Sequence, residues 1–159
     1  MATELEIIKD VRDWLLSLHP TAVIIQGYQN GLPIPKDAIV MTILFSEKLD
    51  QLSSQYMGAT SELVVFESEQ VKMQLDFYGV ASFDQATKTS TMFKSLLTTA
   101  DMTSIQPLNC TAPRNMTFVN EAQQYEKRYM VELDIQHNPS YKQTVDSSIE
   151  IPNLRIEGL

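Results

Sequence analysis

The sequence holds few of the residues from which chemistry is usually read. It has one cysteine, Cys110, and two histidines, His19 and His137. A single thiol forms no intrachain disulfide, so cysteine usage calls for no oxidising compartment. One Cys and two isolated His do not make the ligand spacing of a zinc site. His19 precedes Pro20 at a predicted helix end, where an imidazolium would suit the helix dipole. His137 closes a predicted strand and is expected at the surface. Cys110 reads as a small buried hydrophobe, and a nucleophilic role would require the fold to bring a base beside it. The five glycines, at 27, 31, 58, 79 and 158, match neither a phosphate-binding loop nor a dinucleotide fingerprint. No G-x-S-x-G elbow is present. No catalytic, cofactor-binding or metal-ligating residue is therefore assigned.

Positive charge is scarce too. Lys and Arg number 12 against 20 Asp and Glu, a net charge of −8. The basic residues are scattered, with Lys127-Arg128 the densest pair, whereas a nucleic-acid surface needs clustered cations to displace counterions from phosphate. No window approaches the ~18 uninterrupted apolar residues of a membrane span. The opening "MATELEIIKDVRDW" is acidic rather than basic and then apolar, so a leader is not expected and the cytoplasm is the expected place of synthesis. These exclusions leave a chain of 159 residues, 43% apolar and 20% charged, suited to one domain over 1–159 with one core.

What the sequence does carry is alternation. Thr3 and Glu6 form a capping box, and Ile7, Ile8, Val11, Trp14, Leu15 and Leu18 recur at helical spacing, predicting an amphipathic helix over 3–18. "TAVIIQGYQ" and "AIVMTILF" read as strands around an Asn-Gly and proline loop, the second buried on both faces. "SEKLDQLSSQYMGATS" reads as a long loop or a pair of extended arms. "ELVVFESE" and "QVKMQLDFY" read as one bent strand, or two joined by a bulge near Glu67–Gln70. Gly79 then supplies a backbone conformation that a side chain would forbid, and Ser82 with Gln85 caps a helix over 82–99 whose inner stripe includes Phe83, Ala86 and Phe93. This turn is read as architectural rather than catalytic. "DMTSIQPLNCTAPRN" is a connector, "MTFVN" a brief strand, and "YEKRYMVELDIQHN" a strand with Tyr129, Val131, Leu133 and Ile135 on one face. Residues 140–159 form a candidate C-terminal arm split by Pro152. The sum is an α+β domain: a twisted, mainly antiparallel sheet with two helices packed on it, plus extended loops or arms.

The share of loop and arm exceeds what compact domains usually leave unstructured. Arms with β-prone ends can add strands to a neighbouring copy. Tyr56, Tyr125 and Tyr141 lie in or near these segments and are candidate interface anchors; a half-buried core position is the alternative for Tyr125.

The order of "WLLSLHP", "QNGLPIP", "QLDFYG" followed by a helix, and "KRYMVELDIQ" resembles the neck or tail terminator proteins of tailed bacteriophages, over residues 5–138. The resemblance implies a structural virion protein, assembled in the host cytoplasm, with no cofactor and no catalytic residue. It implies a homo-oligomeric ring, usually hexameric, at the head-proximal end of the tail tube. Its partners would be the tail tube protein and a neck or head-completion protein. DNA would pass through the lumen without specific binding. Six copies of a chain at −8 would make a strongly negative ring that repels phosphate if its carboxylates face the lumen. The competing expectations are another head–tail connector or minor tail protein, a monomeric cytoplasmic adaptor, and a small enzyme using Cys110.

Overall fold

A computed structural model describes residues 4–27, 36–49, 52–95, 98, 102 and 104–145. The expected cap Thr3, the Asn30-Gly31 loop, the inner-stripe residues Leu96, Leu97 and Ala100, and the segment 146–159 fall outside them.

Helix α1 (Glu4–Leu18) buries Ile7, Ile8, Val11, Trp14 and Leu15, the stripe that the helical spacing marks out. Helix α2 (Ser82–Phe93) buries Ala86 and Phe93. Phe83 is half-exposed instead of buried, and its ring packs edge-on against Tyr129 at 5.2 Å. Both helices share one core with the main sheet. Trp14 and Phe93 meet edge-to-face at 5.4 Å across the helix pair, and the Trp14 indole N–H donates to the Thr98 hydroxyl at 3.1 Å.

The main sheet runs β1 (Ile24–Gln26), β2 (Ile39–Lys48), β5 (Glu69–Tyr78), β10 (Arg128–His137) and β6 (Gln106–Cys110), with β7 (Arg114–Asn115) also on β10. Only β1–β2 is parallel in this sheet; every other pairing is antiparallel. The fold is α+β. Register sets the core: Met41 and Val131 both lie opposite Leu75, and Ile39 and Tyr129 both lie opposite Phe77. Leu75, Phe77, Val131 and Leu133 are fully buried beneath the helices.

The connector around Pro107 is in fact strand β6. It holds a sheet edge, the position where a proline's missing N–H breaks no ladder bond. Leu108 is the extra residue where Asn109 and Pro107 oppose the consecutive Asp134 and Ile135.

The expectation that "AIVMTILF" is buried on both faces holds only at its start. Ile39, Val40 and Met41 are buried, but Leu44 bulges out and Phe45 is exposed. The reason is that β1 flanks β2 only as far as Met41, so that beyond it β2 is an edge strand among the described residues, and the bulge at Leu44 breaks its alternation. Beyond that point the chain builds a second, three-stranded sheet in the order β11 (Ser140–Thr144), β4 (Glu62–Phe66) and β3 (Ser53–Met57). Here β2 leads into β3, β4 into β5, and β10 into β11, so three neighbouring strands continue in the same order. Glu67–Ser68 and Asn138–Pro139 are the joints between the sheets, tied by backbone bonds from Leu49 N–H to the Ser68 carbonyl and from Glu67 N–H to the Pro139 carbonyl. Within "SEKLDQLSSQYMGATS", residues 46–48 end β2, Ser53–Met57 form β3 and 58–61 turn the chain into β4, so the described part holds strand arms rather than one long loop. "ELVVFESE" and "QVKMQLDFY" are two strands in different sheets. The start of the C-terminal arm, Ser140–Thr144, is a strand of the projection.

At the opposite end of β5, roughly 30 Å away by strand rise, the chain turns at Gly79 with φ +108°. A Cβ there would strike Asp37 Oδ1. The cap expected from Ser82 is not formed. Ala81 holds the cap position instead: the Gln85 N–H donates to the Ala81 carbonyl at 3.0 Å, and the buried Ser82 hydroxyl has no partner among the described residues. Gly79→Ala should therefore lower the unfolding free energy, measured in urea, by more than the ~1 kcal/mol that the same change gains at a compatible site, because both the dihedral and the Asp37 contact resist a methyl; an unchanged unfolding free energy would show that the corner relaxes freely.

Candidate assembly surfaces

The projecting sheet is too thin to bury a core of its own. Every residue of β3 is exposed, as are four of the five in β11, and β4 between them is only half-buried. Residues paired across a ladder share a face. Tyr56 lies opposite Leu63, and Tyr141 opposite Val65. The structure thus brings Tyr56 and Tyr141 onto one face of the arm, flanking two apolar β4 side chains. Tyr56 is 45% exposed and Tyr141 65%. The other face carries Met57, Val64 and Phe66 with a long Lys142–Glu62 ion pair at 3.9 Å.

Tyr125 is not part of this group. It lies in the hairpin of β8 (Phe118–Val119) and β9 (Tyr125–Glu126) and is 82% exposed, which removes the core alternative. The hairpin is pinned where Phe118 meets Tyr78 edge-on at 6.3 Å. Tyr125 lines a groove of about 290 Å³ beside Gly79, Val80 and Lys36. A second groove of about 310 Å³, along Val23, Ala38, Val80 and Gln85, flanks the same corner. Val80 is 84% exposed between them. The molecule therefore presents two different apolar surfaces at opposite ends of β5: the arm and the corner.

The sheet face turned away from the helices carries the charged pairs, beside the buried Val40 and Met130 that flank Asp76. Lys72 pairs with Asp134 at 3.1 Å and with Glu132 at 3.6 Å, and Arg114 reaches Glu132 at 3.6 Å. The paired carboxylates, and hydrogen bonding to Asp134 first, raise the Lys72 ammonium pKa against a smaller burial effect. Arg128 pairs with Asp76 at 2.8 Å and lies over the Tyr78 ring at 5.6 Å. These cations and carboxylates balance, so the excess negative charge of the chain is carried elsewhere. The sequence hinted at this pair, because alternation places Asp76 on the wet face, but its partner is 52 residues away and only register reveals it.

Neither histidine occupies its expected environment. His19 is buried, with Nε2 at 2.9 Å from the Thr89 hydroxyl. Burial, and then the nearby Lys88 ammonium, lower its pKa from the ordinary 6.5. The helix-end cation expected there is therefore disfavoured: packing between α1, α2 and Phe77 outweighs the dipole. His137 is buried rather than at the surface, 3.1 Å from Glu69 Oε2 at the joint with the arm. Cys110 is buried, its Sγ–H directed at the Thr111 carbonyl, and burial pushes its thiol up to about 11. A thiol so protonated is a poor nucleophile at neutral pH. No described helix is long and apolar enough to cross a membrane, and no cluster of potential metal ligands occurs among the described residues.

His19 links stability to pH. The unfolded imidazole, near 6.5, binds protons that the folded one resists, so stability is full above 6.5 and falls as the pH drops below it. His19→Gln should flatten that part of the stability–pH curve, measured by urea unfolding between pH 5 and 8; an identical curve in the variant would assign the pH dependence to other groups.

A family model described as phage neck terminator protein matches residues 5–158. That span includes the arm and the segment after it, beyond the 5–138 over which the sequence resemblance is legible. A search of curated proteins gives no match.

Proposed function

Since the chain belongs to the phage neck terminator family, whose members are structural virion proteins, we propose that it forms a ring at the head-proximal end of the tail tube. There it stops tube growth and joins the tail to the head-completion proteins. A cyclic assembly needs each copy to offer two different surfaces, one to each neighbour. The carrying observation is the pair of dissimilar apolar surfaces at the two ends of β5: the thin arm with Tyr56 and Tyr141, and the corner with Val80 and Tyr125. An exposed sheet with apolar groups on both faces gains by being covered. A hexameric ring leaves a lumen for DNA, and a net charge of −8 per copy favours passage over binding.

Light scattering across concentration, with negative-stain images of the same fractions, tests the reading. The expected result is a species near six times 18.0 kDa with a central hole, alone or when purified tail tubes are added. A chain that stays monomeric and leaves tube ends uncapped would instead be a monomeric adaptor or another connector.

A further inference from the structure

The strand edges of the fold are protected unequally. On the main sheet, β1 is three residues long and β6 carries Pro107. On the arm, β11 carries Lys142. Short length, proline and lysine are the devices that stop a sheet edge from recruiting another strand. The outer edge of β3, "SSQYM" at 53–57, has none of them: five residues, all exposed, without proline, charge or bulge. An unguarded edge of this kind is an acceptor for an added strand.

A donor of matching character exists in the same chain. The Val145 N–H bonds to the Ser61 carbonyl at 2.8 Å, so the chain leaves β11 at the tip of the arm, beside the β3–β4 turn. The sequence continues from there as "DSSIEIPNLRIEGL", with Ile149 and Ile151 before Pro152 and Leu154 and Ile156 after it, each pair separated by a charged residue. Fourteen residues extended reach at most ~50 Å, enough to cross to an adjoining copy.

We propose that part of residues 146–159 of one copy adds as a strand to the β3 edge of its neighbour. The occupant is a second copy of this chain. The inference rests on the ring reading and specifies how that ring is linked: each copy gives a strand on one side and accepts one on the other, which is the head-to-tail arrangement that closes.

The test uses the full chain. Amide exchange at 53–57 should slow by on the order of a hundredfold as concentration drives self-association. Ile149→Asp/Ile151→Asp, Leu154→Asp/Ile156→Asp, or both should disable the donor, and Ser53→Lys/Gln55→Lys the acceptor. Each side chain altered in β3 is exposed, so the acceptor variant keeps its fold. Donor-disabled and acceptor-disabled copies, each unable to form the ring alone, should pair when mixed but stop at a dimer, since one strand exchange survives. A ring that persists in both donor variants together, with exchange at 53–57 unchanged, overturns the strand exchange while leaving the ring standing. Protection at 53–57 with open dimers or chains in place of a ring upholds the strand exchange and removes the ring reading. Protection that is already present in the diluted monomer means the segment folds onto its own β3 and overturns the proposal. Absence of both self-association and protection overturns it as well.

Discussion

Tyr56→Ala/Tyr141→Ala leaves a folded monomer that no longer assembles. Both side chains lie on one exposed face of the arm, opposite Leu63 and Val65, and neither belongs to the main core. Their loss removes little that holds the monomer together. In an assembled interface, however, a tyrosine that fills a neighbour's surface is a typical hot spot, worth about 2 kcal/mol or more. Two of them together correspond to roughly a thousandfold weaker contact if their effects add. The circular dichroism of the double variant should match wild type, and its unfolding free energy in urea should stay within about 0.5 kcal/mol of it, as for other exposed substitutions. Its mass by light scattering should fall to the monomer. An intact ring would assign the arm face to something other than the neighbouring copy, such as a tube or head-completion protein. A lost fold would show that the arm supports the core after all. Tyr125→Ala gives an independent reading of the corner surface, because that residue is at the other end of the molecule.

Asp76→Ala destabilises the monomer itself. Asp76 is 4% exposed and accepts from three directions: Arg128 Nη2 at 2.8 Å, Arg128 Nε at 2.9 Å and Gln74 Nε2 at 2.8 Å. Removing the carboxylate leaves a guanidinium pressed against Tyr78 and without its charge partner. Stranding one half of a buried pair costs about 3–5 kcal/mol. The Arg128 side chain is 27% exposed, and water at that opening places the expected loss at about 3 kcal/mol. Replacing both partners, Asp76→Leu with Arg128→Met, should recover much of the loss, since no charge is then left behind. A double-mutant cycle by urea unfolding measures the coupling directly. A single-variant loss below about 1 kcal/mol would mean that solvent screens the guanidinium and that the pair acts as a surface bridge.

The pair also shows where sequence reading stops. Alternation in "VKMQLDFYG" and "RYMVELDIQH" identifies which residues share the buried face, because strand side chains point to opposite sides in turn. That regularity is local and survives in a single chain. The same is true of the helical spacing of Ile7, Val11, Trp14 and Leu15. The partner of Asp76 is not local: it depends on β5 and β10 meeting in a register that sets Asp76 opposite Met130 and two residues, on the same face, from Arg128. His19 and His137 failed for a related reason. The cation expected at His19 and the surface position expected of His137 both came from lying at element ends, but one end is packed against α2 and the other lies at the joint with the arm. The arm itself was half-legible. Its β-prone segments are visible in the sequence, yet "SEKLDQLSSQYMGATS" lacks the strong alternation that burial imposes, because β3 is exposed throughout. Sequence pattern records burial, and an exposed strand records little.

By itself, then, the sequence determined the α+β class, the faces of α1, β5 and β10, the need for a glycine at 79, and the resemblance to phage neck terminators, all of which rest on short-range periodicity, backbone sterics or motif order. Tertiary structure alone decided that three neighbouring strands run on into a thin second sheet, that Tyr56 and Tyr141 share one face of it while Tyr125 lies at the far corner, and that β3 is its edge among the described strands. These depend on which strands pair and in what register, and register is set by contacts between residues distant in the chain.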